Sequence, residues 1–137
     1  MIRFIRIYGS KVYTSVFWTA LTIFLLCLPG DNIPPGEKIF EIKNLDKLVH
    51  AVLFGFLVLF WSLWTYRRKT SFGSWARATF WITIGSILLG IAMEYVQRYY
   101  IPYRDFEVGD IVADTAGALA AFWFLRNKGR ASGLLEG

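Results

Sequence analysis

The chain has 137 residues, of which 55% are hydrophobic, 18% aromatic and only 18% charged, and its net charge is +5. So apolar a composition in so short a chain excludes a soluble globular domain, in which about a quarter of the residues carry charge, and describes a small all-α integral membrane protein. Nucleic acid is excluded as a partner, because the Lys and Arg residues stand in small clusters at the ends of apolar runs, where they orient a membrane protein.

Arg3, Arg6 and Lys11 precede a first apolar run over residues 12–28, which contains Trp18 and stops at Pro29-Gly30. The run is long for a secretory leader and CLPG lacks a small-x-small cleavage pattern, so it reads as a retained first span. Cys27 is the only cysteine, which precludes an intramolecular disulfide or a cysteine metal cluster. With bulky Leu26 before it, Cys27 reads as a packing residue rather than a lipid attachment point. Residues 31–46, DNIPPGEKIFEIKNLD, mix Pro, Gly and charge, and the alternation of Ile39, Ile42 and Leu45 fits a segment lying along the membrane surface.

Asp46 is placed as the N-cap of a second span over 47–66, which closes on Trp61, Trp64 and Tyr66 as an interfacial belt. Arg67, Arg68, Lys69 and Arg77 make the next connector basic. A third span over 78–100 carries Ser86 and Gly90 on one face, and Tyr99, Tyr100 and Tyr103 mark its far interface. The fourth span, 110–125, repeats small residues at Ala113, Gly117 and Ala121, which lets a neighbouring helix approach closely. The polar stretch from Arg126 onward predicts a disordered cytoplasmic tail over 127–137, leaving one transmembrane domain over 1–126.

Ten Lys and Arg residues flank the spans on one side and five on the other, so both termini of this four-transmembrane-helix bundle are expected in the cytoplasm. That topology gathers Asp46, Lys47 and His50 at the start of span two, Glu94 and Gln97 at the end of span three, and Asp110 and Asp114 at the start of span four, all near the outer face. Asp46 stands one helical turn from His50 and can orient its imidazole. Glu94, inside an apolar span, requires a partner: His50, Arg98, Arg104 or the start of span four. Arg104 is expected to pair with one of the acids, since a guanidinium binds a carboxylate through two hydrogen bonds. No local ligand motif such as HExxH occurs, so neither metal nor other cofactor is expected, and no phosphate loop or nucleophile elbow is present.

DKLVHAVLF at 46–54, EYVQ at 94–97, IPYR at 101–104 and DIVADTAG at 110–117 together resemble the VanZ-like family of small bacterial membrane proteins. The family pattern, approximately D-K-x-x-H-F, E-x-x-Q, P-x-R and D-x-x-x-N-x-x-G, is met by Asp46, Lys47, His50, Glu94, Gln97, Pro102, Arg104, Asp110 and Gly117. Two positions depart from it: Ala51 stands where an aromatic is common, and Asp114 where Asn is usual. The resemblance implies a four-helix protein of the bacterial inner membrane, in a family whose namesake is associated with glycopeptide resistance. It assigns no catalytic role to any residue. The expected partners are membrane lipids and a lipid-linked or cell-wall ligand, received by Lys47, Arg98 and Arg104 or, in an enzyme, worked on by His50 and Glu94 as acid and base. A non-catalytic membrane scaffold, which needs only the small-residue helix faces, is the third reading.

Overall fold

The computed structural model describes residues 11–29, 45–66, 68 and 71–131, with side chains as far as Gly129. Four α-helices make up these residues: α1 (Val12–Leu26), α2 (Leu45–Tyr66), α3 (Phe72–Tyr100) and α4 (Val108–Ala131). α2, α3 and α4 are each long and apolar enough to cross a membrane. α1 is equally apolar but has 15 residues, which rise about 22 Å, less than a hydrocarbon core of roughly 30 Å. The surface segment expected around Ile39 and Ile42 lies outside the described residues, as does most of the expected tail.

Three boundaries differ from expectation. α3 begins at Phe72 rather than 78, because the Ser71 side chain accepts a hydrogen bond from the Ser74 amide and caps the helix within the basic connector, so that Arg77 lies in its first turns. α2 begins at Leu45, so Asp46 lies in the first turn and complements the positive helix end instead of capping it. α4 continues through Arg126 and Lys128 to Ala131. Cations suit a helix C-terminus, and Gly129 there lies so close to Trp75 and Phe72 of α3 that a Cβ would overlap both rings.

The short connections 67–71 and 101–107 make α2, α3 and α4 alternate up and down. The end of α1 lies beside the end of α3, where Gln97 meets the Leu26 carbonyl, and α2 with α4 forms the most extensive contact. At its centre Gly117 faces the backbone of Ala51, and any Cβ on Gly117 would collide with the Ala51 carbonyl. Gly90 of α3 faces the Asp114 side chain, with 2.6 Å between an added Cβ and Oδ2. Indole N–H groups join the remaining helices: Trp18 of α1 donates to the Leu53 carbonyl at 2.9 Å, Trp61 to Thr19 Oγ1 at 3.0 Å, and Trp75 to the Ser62 carbonyl at 2.9 Å. One apolar cluster forms around Leu26, Leu53, Phe54, Leu57 and Met93, with Cys27 packed against it, and a second around Val58, Trp75, Ala118 and Leu125.

Polarity runs opposite to that of a water-soluble bundle. Thr22, Ser62, Thr79, Thr83, Ser86, Glu94, Gln97 and Asp114 are buried, while Phe17, Trp81, Leu88, Val112 and Trp123 stand outward. Thr22, Thr83 and Ser86 return their hydroxyl protons to carbonyls one turn back, satisfying themselves without water. The chain is an all-α, multi-pass membrane protein.

Candidate functional site

One end of the bundle collects the start of α2, the end of α3 and the start of α4. His50 is four-hundredths exposed at 4%, Glu94 1%, Asp110 5% and Asp114 1%. The His50 imidazole lies between two aspartates of α4, one turn apart: Nδ1 is 3.0 Å from Asp114 Oδ1, and Nε2 is 3.7 Å from Asp110 Oδ2. A carboxylate can only accept, so the proton in the shorter contact belongs to Nδ1 and Nε2 is turned toward Asp110. Glu94 reaches across from α3, where Oε2 accepts the Glu107 amide at 2.9 Å just ahead of α4. Of the partners expected for Glu94, namely His50, Arg98, Arg104 and the start of the fourth span, the hydrogen bond goes to the residue just before that span. One oxygen of each acid, Glu94 Oε1, Asp110 Oδ1 and Asp114 Oδ2, is buried without a hydrogen-bond partner.

Lys47 closes the outer edge of this cluster. Its Nζ lies 3.1 Å from Asp46, 2.9 Å from Glu107 and 3.4 Å from Asp110 Oδ1. Asp110 therefore sits between an ammonium on its exposed side and an imidazole on its buried side. Close packing holds Lys47 there, since a Cβ on Gly109 would come within 2.6 Å of its Cε.

Of the residues singled out by sequence, Asp46, Lys47, His50, Glu94, Asp110 and Asp114 come together, Asp46 at the rim through Lys47, and Gln97, Arg104 and Gly117 do not join them directly. The Asp46 carboxylate pairs with Lys47 rather than orienting His50, a role that Asp114 takes from a different helix. Gln97 is buried but turns to α1, donating Nε2–H to the Leu26 carbonyl at 2.9 Å. Among the described residues Arg104 pairs with none of the acids expected for it: its Nε donates to the Leu28 carbonyl at 3.4 Å. Both satisfy carbonyls at the C-terminal end of α1, which have no acceptor role left within their own helix. Arg98 pairs with Asp105. The basic residues expected to receive an anion are thus engaged with carboxylates or carbonyls. Gly117 contributes close packing. Sequence reasoning missed Glu107, which supplies both a backbone donor to Glu94 and a carboxylate to Lys47. Its position immediately before α4 was the available signal, because the first amides of a helix lack partners of their own.

Below the polar end, an open apolar groove of about 470 Å³ runs between α2 and α4, from Ala51 and Gly117 toward Leu59 and Phe124. It exists because Gly55, Ala116, Gly117, Ala120 and Ala121 present little side chain on the facing surfaces. Ala51 follows His50 directly, so the groove begins beside the acidic cluster.

No curated protein and no solved structure matches the chain. The VanZ/LLP1 family does match, over residues 3–129, an interval that includes all four helices up to Gly129 and every residue of the cluster. With D-K-x-x-H on α2, E-x-x-Q on α3 and the aspartates of α4 meeting at one end of a four-helix membrane bundle, the chain belongs to the VanZ/LLP1 family.

Proposed function

We propose that the protein resides in a bacterial inner membrane and binds the polar headgroup of an envelope lipid at the outer face, an action that contributes to glycopeptide resistance. The observation that carries this reading is the set of incompletely paired oxygens on Glu94, Asp110 and Asp114, all buried around His50. Ionisable groups placed within membrane spans are costly, and a purely structural cluster gains nothing from oxygens left unpaired. The groove beside Ala51 and Gly117 supports a lipid as the ligand, because an acyl or isoprenoid chain lying there would bring its headgroup next to the cluster. The acids would repel a bare phosphate, so the headgroup must meet them through a cation, either an amine of its own or an ion held by the protein.

The test is a gene deletion complemented with His50→Ala and Glu94→Gln, scoring glycopeptide susceptibility and extracted envelope lipids. Both variants are expected to reach the membrane at wild-type level and to restore neither phenotype. Full restoration by both would make the cluster structural and sink the reading. A second reading, turnover of a lipid-linked substrate at the same groups, is favoured by the imidazole being clamped by a carboxylate. It predicts that one lipid species accumulates in the deletion and in both variants.

A further inference from the structure

We infer that His50, Glu94 and Asp110 form a binding site for one first-row divalent ion, Zn²⁺ or Mn²⁺, with Asp114 as a positioning residue. The site rests on the reading of this cluster as a ligand site, and it supplies the cation that such a ligand requires. One atom from each of the three side chains lies within 4.8 Å of the other two, and all three residues are buried. His50 Nε2 and Asp110 Oδ2 are 3.7 Å apart, too far for a hydrogen bond. Ligands about 2.1 Å from a tetrahedral ion stand roughly 3.4 Å from one another, close to that spacing.

The buried carboxylates point the same way. Glu94 Oε1 is buried with no hydrogen-bond partner, and Asp110 turns Oδ1 to Lys47 while Oδ2 faces the His50 ring. A buried carboxylate requires a cation, and among the described residues none pairs with Glu94. The second grouping of acids, Asp46, Glu107 and Asp110, is a useful contrast. There the Lys47 ammonium already lies 2.9 to 3.4 Å from each acid and serves as the cation. Lys47 does not extend that service to Glu94, and a metal ion between His50, Glu94 and Asp110 would.

Asp114 completes the arrangement. By accepting a hydrogen bond from Nδ1–H at 3.0 Å it orients the ring and leaves the Nε2 lone pair free to bind an ion, the relation that carboxylates have to metal-bound imidazoles. One nitrogen and two carboxylate oxygens, with no thiolate, suit Zn²⁺ or Mn²⁺ better than a soft ion such as Cu⁺. Three protein ligands also leave a position for an oxygen of a phosphate headgroup, which would convert an acidic, phosphate-repelling cluster into one that binds it.

The experiment uses the full chain, purified in detergent with a tag free of histidine and stripped with chelator, then titrated with Zn²⁺ and with Mn²⁺ while bound metal is measured after dialysis. One of the two ions is expected to bind at about one per chain. Loss of one ligand in His50→Ala or Asp110→Asn is expected to weaken binding by more than about 100-fold, and Asp114→Ala by about 10- to 100-fold. Asp105→Asn, whose exposed carboxylate pairs with Arg98 away from the cluster, is expected to bind as wild type does. The wild-type protein loaded with Zn²⁺ gives a reading independent of how the variants fold: its X-ray absorption spectrum should show an oxygen and nitrogen shell containing one imidazole. No bound ion in wild type, a shell without imidazole, or wild-type affinity in a folded His50→Ala protein would overturn the site. If wild type binds no ion while His50→Ala and Glu94→Gln still fail to complement, the metal site falls and the lipid-binding function stands.

Discussion

The most consequential single residue is Asp114. Its side chain is 1% exposed, it lies against Gly90 where no larger residue would fit, and it holds the His50 ring through one 3.0 Å hydrogen bond. An Asn side chain has the same shape and keeps one carbonyl oxygen to accept the Nδ1 proton. Asp114→Asn, which restores the residue usual in VanZ-like sequences, is therefore expected to leave the unfolding temperature in detergent almost unchanged. Asp114→Leu removes the acceptor and strands a buried imidazole N–H, at a cost of about 1–3 kcal/mol. Equal stability of the Asn and Leu variants in thermal unfolding would show that the hydrogen bond does not hold the ring.

Between elements, the decisive contact is the crossing of α2 and α4, where two backbones touch at Ala51 and Gly117. Lipid provides little hydrophobic force between membrane helices, so such a crossing depends on close packing of small residues. A methyl group at Gly117 would have to enter backbone atoms, which cannot move aside as a flexible side chain can. Gly117→Ala is expected to cost about 1–3 kcal/mol or more, and to displace the start of α4 with its two aspartates. Gly85 is the internal control, since an added Cβ there meets nothing within 4 Å. Gly85→Ala is expected to be neutral or to stabilise by up to about 1 kcal/mol through helix propensity. Chemical unfolding of the two variants in detergent should separate them, and similar destabilisation by both would argue against a specific crossing.

For the molecule as a whole, an even number of alternating helices returns the two ends of the described chain to the same side. The excess of Lys and Arg on the side of the termini and of the 67–77 connector, ten residues against five, predicts that this side is cytoplasmic. The acidic cluster, at the opposite end of the bundle, would then face outward. Alkaline phosphatase fused to the C-terminus is expected to be inactive, and the same enzyme inserted between Asp31 and Lys43 to be active. The reverse pattern would turn the cluster toward the cytoplasm and remove the outer-face action. α1 takes part through Trp18, through Thr19, and through the Leu26 and Leu28 carbonyls that hold Gln97 and Arg104. It thereby braces the polar end without contributing a side chain to it.

Much of this was legible in the residues themselves. Bilayer thickness imposes a length on every apolar run, and an unpaired carboxylate within such a run is costly, so the helices and the turning inward of His50, Glu94, Asp110 and Asp114 follow from local pattern alone. The starts of α2 and α3 and the end of α4 were less legible, because a Ser cap and a helix-tolerant basic tail compete with simple hydropathy at the ends. Pairing was decided only by the tertiary structure. Asp46 is one turn from His50 in sequence, yet Asp114 on another helix takes the imidazole, while Arg104 and Gln97 turn away to α1. A helical spacing fixes which residues share a face, but the partner of each side chain depends on where a second helix crosses. Here that crossing is set by the contact of Gly117 with Ala51, whose depth depends on both surfaces at once and cannot be read from either alone.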